Sequence, residues 1–147
     1  MRIFVLIIFC LALVVGVQAQ TAENEDDAKV TKLTLAKKDA DGNIVENPES
    51  FNPKDIPIIC YIDLNTDKPT LVKMKLVAVK AKGLRPNSQV LTIQYKTKDG
   101  ENGVTFDASP KTVWTEGDYK VEIYLNGKLA ESLDFKVVND VDKTEKN

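Results

Sequence analysis

Gly117-Asp118-Tyr119-Lys120-Val121-Glu122-Ile123-Tyr124-Leu125-Asn126-Gly127-Lys128 is the stretch whose reading decides the fold. Apolar Tyr119, Val121, Ile123 and Leu125 alternate with Asp118, Lys120, Glu122 and Tyr124, the period of a strand with one buried face. Asn126-Gly127 follows, a pair that tolerates positive φ and so closes a tight hairpin. A second alternating run continues to Val138. A two-residue loop with unbroken pairing sets Ile123 against Ala130 and Val121 against Ser132, leaving Leu129, Leu133, Phe135 and Val137 opposite polar residues. Directly opposed residues share a face, so that register splits the apolar set between both sides of the sheet. A three-residue loop, Leu125-Asn126-Gly127 with Gly127 as a left-handed bulge, pairs Ile123 with Leu129 and Tyr119 with Leu133. It gathers the apolar residues on one face and is the expected form, with Leu125 drawn into the turn.

Outward from this hairpin, strands are expected at about 29–37, 56–64, 71–82, 89–98, 103–108, 118–125 and 128–138, with Gly, Pro, Asn and Asp turns between them. No segment longer than one turn has helical periodicity. The pattern is that of an all-β chain, an antiparallel two-sheet sandwich of about seven strands. The strand at 71–82 changes phase. Val72, Met74, Leu76 and Ala78 alternate with Lys73 and Lys75, whereas Val77, Val79 and Ala81 alternate with Lys80 and Lys82. A bulge near Val77 accounts for this, and so does a strand that passes from one sheet to the other.

Residues 1–20 read as a signal peptide: Arg2, an apolar run from Ile3 to Val17, and small residues before a cleavage point after Ala19 or Gln20. The run is short for a membrane span. The expected location is therefore secreted or periplasmic, with no stable membrane insertion after cleavage. The acidic segment 21–28 and the polar tail 139–147 are expected to be disordered, flanking one domain over 29–138. Cys60, in phase with Ile56, Ile58, Ile62 and Leu64, reads as a small buried hydrophobe rather than a reactive thiol.

Thr115-Glu116-Gly117-Asp118-Tyr119-Lys120-Val121 resembles the Asp-x-Gly-x-Tyr-x-Cys segment that opens strand F of immunoglobulin domains, with Gly117 and Tyr119 matching. The closing hairpin resembles that of Ig-like β-sandwich domains in exported, bacterial proteins. The resemblance implies an immunoglobulin-like sandwich in which Val121 stands where the strand-F cysteine would be. Cys60, at the strand-B position, then lacks the usual disulfide partner, and Trp114 does not occupy the strand-C place of the pinning tryptophan. Domains of this kind bind, space or assemble, and fold kinship does not say which.

Chemistry is sharply bounded. The 147 residues include no histidine, which removes triads, imidazole bases and His-ligated zinc. The carboxylates form no paired motif, so no enzyme and no cofactor are expected. Asp39-Ala40-Asp41-Gly42-Asn43 has alternating oxygen ligands, but their order differs from a calcium loop and no glutamate stands at the required downstream spacing, so it reads as a β-turn.

Charge is the feature that points outward. Lys68 to Lys98 holds 8 basic residues and no acidic one, while residues 20–67 carry 5 basic against 11 acidic and residues 99–147 carry 6 against 11. A basic hairpin, 71–98, is thus the candidate contact surface. Lys73, Lys75, Lys80, Lys82, Arg85, Lys96 and Lys98 supply electrostatic recognition and Tyr95 an anchor, for an unknown protein or an anionic polysaccharide. The plainer reading is a solvated sheet face whose lysines pair with carboxylates or guard an edge. Nucleic acid is disfavoured by export and overall acidity. Trp114 is expected to plug the end of the sandwich, and Tyr124 to face outward, within reach of a patch with Tyr61 and Tyr95. The alternative function is a structural accessory subunit that associates by its sheet edges.

Overall fold

A computed structural model describes residues 27–139. The signal-peptide and tail expectations fall outside them, apart from Asp27, Ala28 and Asn139; Ala28 packs against the core. Eight strands and no helix make up the described chain: β1 (Val30–Lys38), β2 (Ile44–Glu46), β3 (Ile58–Leu64), β4 (Leu71–Ala81), β5 (Ser88–Lys96), β6 (Gly103–Ala108), β7 (Gly117–Leu125) and β8 (Lys128–Val137). They form two antiparallel sheets, ordered β2-β1-β3-β6 and β5-β4-β7-β8. Seven of the eight coincide with the strands read from sequence. The additional one, β2, has three residues, too few to show alternation, and pairs with the end of β1 across the Asp39–Asn43 turn. That turn is closed by the Asp39 carboxylate, which accepts hydrogen bonds from Asp41 N (2.9 Å) and Asn43 N (2.8 Å).

The closing hairpin corrects the expected loop. Leu125 pairs with Lys128, and the two residues between them turn with φ of 49° at Asn126 and 89° at Gly127. Both are positive, as a type I′ turn requires. The loop therefore has two residues, not three, and Leu125 stays buried in the core. Asn126 is clasped to β4: its N–H donates to Leu71 O (2.9 Å) and its Oδ1 accepts from Leu71 N (3.0 Å). The parity problem is solved one step later. Tyr124 pairs with Leu129 but Ile123 with Glu131, so Ala130 is an extra residue in β8. This bulge sets Val121 opposite Leu133 and Tyr119 opposite Phe135, which restores the apolar residues to one face.

The phase change in β4 is likewise a matter of bulges; the strand pairs with β5 from Leu71 to Ala78 and with β7 from Val72 to Ala81, and never leaves its sheet. Ala78 faces Tyr119 but Lys80 faces Asp118, which leaves Val79 as the extra residue. On the other side Leu76 faces Leu91 and Val77 faces Gln89, so Val90 is extra in β5. Inward positions thus run Val72, Met74, Leu76, Ala78 and then Ala81, all buried.

The core lies between the sheets, where each large aliphatic side chain contributes roughly 1.5–3 kcal/mol by leaving water. At one end it is closed by aromatic rings. Trp114 is 2% exposed, meets Tyr119 edge-on at 6.2 Å and donates its indole N–H to Asp55 O (2.9 Å); it plugs the sandwich as expected. Tyr119 stacks on Phe135 at 5.4 Å. Its hydroxyl donates to Thr115 O (2.8 Å) and lies 2.8 Å from Thr115 Oγ1, the corner contact that fixes the entry into strand F of an Ig sandwich. Cys60 is 1% exposed between Leu35 and Phe106 on neighbouring strands, and burial pushes its thiol up to about 12.

Candidate functional site

Sheet pairing assigns every member of the basic hairpin to a place. Val72, Met74 and Leu76 face the core, so Lys73 and Lys75 face outward by alternation. Across the sheet, Lys73 lies between Gln94 and Tyr124, and Lys75 between Thr92 and Glu122. Lys96 shares that outer face beside Leu71. Past the Val79 bulge, Lys80 sits opposite Asp118, and the backbone of Lys82 bonds Glu116 O (2.8 Å). Arg85 lies in the exposed β4–β5 turn. The outer face thus gathers Lys73, Lys75 and Lys96 towards its Asn126 end, while Lys80, Lys82 and Arg85 belong to the other end of β4.

Tyr95 and Lys98 stand apart from this group. Tyr95 pairs with the buried Val72 and so projects to the opposite face. Its hydroxyl donates to Glu101 Oε2 (3.0 Å), and this bond holds the phenol above its ordinary range. Lys98 lies beyond β5, its N–H donating to the same carboxylate (2.8 Å). Nor do Tyr61, Tyr95 and Tyr124 form one aromatic patch, because Tyr61 is in β3 of the other sheet.

Tyr124 is the aromatic residue at the centre of the lysine face. Lys73 Nζ is 5.1 Å and Lys75 Nζ 4.7 Å from its ring centroid, both within cation–π range. The Tyr124 hydroxyl donates to Glu122 Oε2 (2.8 Å), and Lys120 Nζ lies 2.8 Å from Glu122 Oε1. The Lys120 hydrogen bond, followed by that of Tyr124, holds the Glu122 carboxyl below its ordinary range. The same carboxylate raises the Lys120 ammonium and the Tyr124 phenol. Glu122 is thereby engaged by two hydrogen-bonding partners, and Lys75, its cross-strand neighbour, adds a weaker Coulombic attraction. Among the described residues, neither Lys73 nor Lys75 has a carboxylate within ion-pair distance; both ammonium groups rest on the ring instead. Leu71 and Leu129, 36% and 57% exposed, flank the face.

Of the two plainer accounts of the lysines, cross-strand pairing with carboxylates is met in register by Lys75 opposite Glu122 and Lys80 opposite Asp118, whereas edge protection does not apply to the lysines of β4. Lys73, Lys75 and Lys80 are on β4, an interior strand between β5 and β7, so they guard no edge. The aromatic centre escaped the sequence reading because Tyr124 and the lysines are about 50 residues apart, and only the β4–β7 pairing brings them together. Its signal was the outward phase of Tyr124 in β7. Chemically, the surface supplies cations, an aromatic ring and aliphatic rims; no group of His, Cys, Asp and Glu able to hold a metal occurs among the described residues.

No protein-family model matches the chain, and no curated protein matches its sequence. Among solved structures, the chain is similar to an immunoglobulin-like protein of Pseudomonas aeruginosa at 9% identity and a TM-score of 0.50, covering 76% of this chain and 97% of that one. Weaker likenesses join it to β-glucosidases. For the enzyme of Listeria innocua the identity is 14% and the TM-score 0.45, over 16% of that chain; for that of Bifidobacterium adolescentis they are 16% and 0.44, over 17%. At these values the last two say nothing further about the chain. No helix among the described residues is long and apolar enough to cross a membrane. The chain has an immunoglobulin-like antiparallel β-sandwich fold.

Proposed function

We propose that this chain is a non-catalytic binding module, secreted or periplasmic after loss of residues 1–20, that recognises an anionic partner through the outer face of the β5-β4-β7-β8 sheet. One observation carries the reading: two ammonium groups converge on the Tyr124 ring with no ion-pair carboxylate of their own. Glu122, opposite Lys75, is already held by Lys120 and Tyr124, so an arriving anion gains attraction to both ammonium groups. Lys96 extends the positive field, and Leu71, Tyr124 and Leu129 offer apolar contact. An acidic polysaccharide or an acidic protein surface meets these requirements. The absence of histidine supports the non-catalytic part of the reading.

The test is retention of the protein, expressed from its full sequence, on a sulfated polysaccharide support and on a neutral one across a salt series. Retention on the charged support should fall steeply as salt rises. Changing Lys73 and Lys75 to Gln should abolish it, whereas Lys80→Gln with Lys82→Gln at the far end should leave most of it. Negligible retention of the unaltered protein, or equal losses in both pairs, would remove the outer face as the recognition surface.

A further inference from the structure

Each sheet ends in two strands, β2 and β6 in one and β5 and β8 in the other, and an uncovered edge is a template for pairing with another chain. Three of the four are short or blunted. β2 has three residues and β6 six, with a charged Asp107. β8 is covered near its end by Phe51, whose N–H donates to Lys136 O (2.8 Å) and whose carbonyl accepts from Val138 N (2.8 Å). Upstream, the Ser132 N–H is taken by the Glu131 side chain (3.0 Å), and the Ala130 bulge breaks the line.

β5 differs. It spans nine residues, and no charged residue occurs from Pro86 to Tyr95. Among the described residues no strand pairs with its outer side. Thr97 N donates to Thr70 O (2.9 Å), so by alternation Tyr95, Ile93 and Leu91 turn their backbone groups to β4. Thr92, Gln94 and Lys96 therefore turn theirs outward. The stretch from Leu91 to Lys96 lies beyond the Val90 bulge and pairs with β4 without interruption.

We propose that β5 pairs antiparallel with β5 of a second copy of this chain, about a two-fold axis at Ile93. The strand's own sequence selects this occupant. In that register Leu91 meets the second copy's Tyr95, Ile93 meets its equivalent, and Thr92 meets Gln94. Apolar residues share one face and uncharged polar residues the other. Lys96 falls opposite Val90, so no like charges are opposed. Thr92 and Gln94 exchange about four backbone hydrogen bonds between the copies. Shifting the axis to Thr92 instead sets Gln94 against Val90, running the pairing into both bulges. Opposed residues share a face, so the lysine faces of the two copies become continuous.

The test is sedimentation velocity of the protein, expressed from its full sequence, in a concentration series up to about 1 mM. Two double variants run beside it, with thermal unfolding checking that each is folded; Thr92 and Gln94 are both exposed. Thr92→Lys with Gln94→Lys opposes lysines across the axis and should weaken the dimer at least tenfold. Thr92→Lys with Gln94→Glu opposes lysine to glutamate and should dimerise at least as tightly as the unaltered chain. A protein that stays monomeric throughout overturns the proposal. So does a dimer indifferent to the paired lysines, or a Lys/Glu variant that is no tighter than the Lys/Lys one.

Discussion

Gly117→Ala is the perturbation that probes the sandwich most sharply. Gly117 opens β7, pairs with Ala81 on one side and Val137 on the other, and has φ of 150°. A Cβ there would lie 2.3 Å from Lys80 O and 2.4 Å from Ala81 Cα. Both are backbone atoms of the adjacent strand, so no side chain can swing aside and β4 itself must move. The backbone conformation costs a residue with a side chain about 1–3 kcal/mol, and forcing an atom into packed structure costs about 1–3 kcal/mol more. A loss of about 2–6 kcal/mol is a large share of the roughly 5–15 kcal/mol that holds a domain folded. At roughly 3–5 °C per kcal/mol for a chain of this size, the melting temperature should fall by about 6–30 °C. Urea unfolding followed by circular dichroism measures the free-energy loss, and thermal unfolding the shift in melting temperature. Gly127→Ala is the control: its φ is 89°, but a Cβ there meets nothing within 4 Å, so only the conformational cost of about 1–2 kcal/mol applies. Equal losses at the two positions, or a loss at Gly117 below about 1 kcal/mol, would refute the close approach of β4 and β7.

Tyr119→Phe keeps the ring stacked on Phe135 but leaves Thr115 O without its donor; it should cost about 1–3 kcal/mol in the same urea assay. Cys60 should resist alkylation at pH 8 in the folded protein and react fully in guanidinium, as mapped by mass spectrometry, because burial holds its thiol protonated up to about 12. The Glu122 carboxyl is depressed below its ordinary 4.5, first by its hydrogen bond to Lys120. Its stabilising contribution is therefore fully present above 4.5 and lost as pH falls through the folded value. Urea midpoints of the unaltered protein and of Glu122→Gln should accordingly differ near neutrality and converge in acid; a difference that persists in acid would contradict this origin.

The fold was largely legible because its information is local. Alternation in Tyr119 to Leu125 and the Asn126-Gly127 turn need only neighbouring residues, and the strand bounds follow from them. Parity correctly demanded an extra residue in the closing hairpin. Its position at Ala130 depended on how Asn126 is clasped to Leu71, a contact across 55 residues. β4 shows the same limit: the phase change was visible, but the choice between bulge and sheet crossing needed the register of both neighbours. The candidate site was legible as charge and illegible as geometry. Lys73 and Lys75 share a face with Tyr124 because β4 pairs with β7, whereas Tyr95, only one residue from Lys96, points to the other side. Strand order decides such questions, and strand order is a property of the whole chain.

Recognition is proposed to reside on the Lys73–Lys75–Tyr124 face. Its most direct measurement is a backbone amide NMR titration of the isotope-labelled protein with a sulfated oligosaccharide, at low and at high salt. Saturable shifts concentrated at Lys73, Lys75, Lys96 and Tyr124, vanishing when salt is raised, are expected. Shifts centred elsewhere, or a spectrum unmoved at low salt, would contradict it.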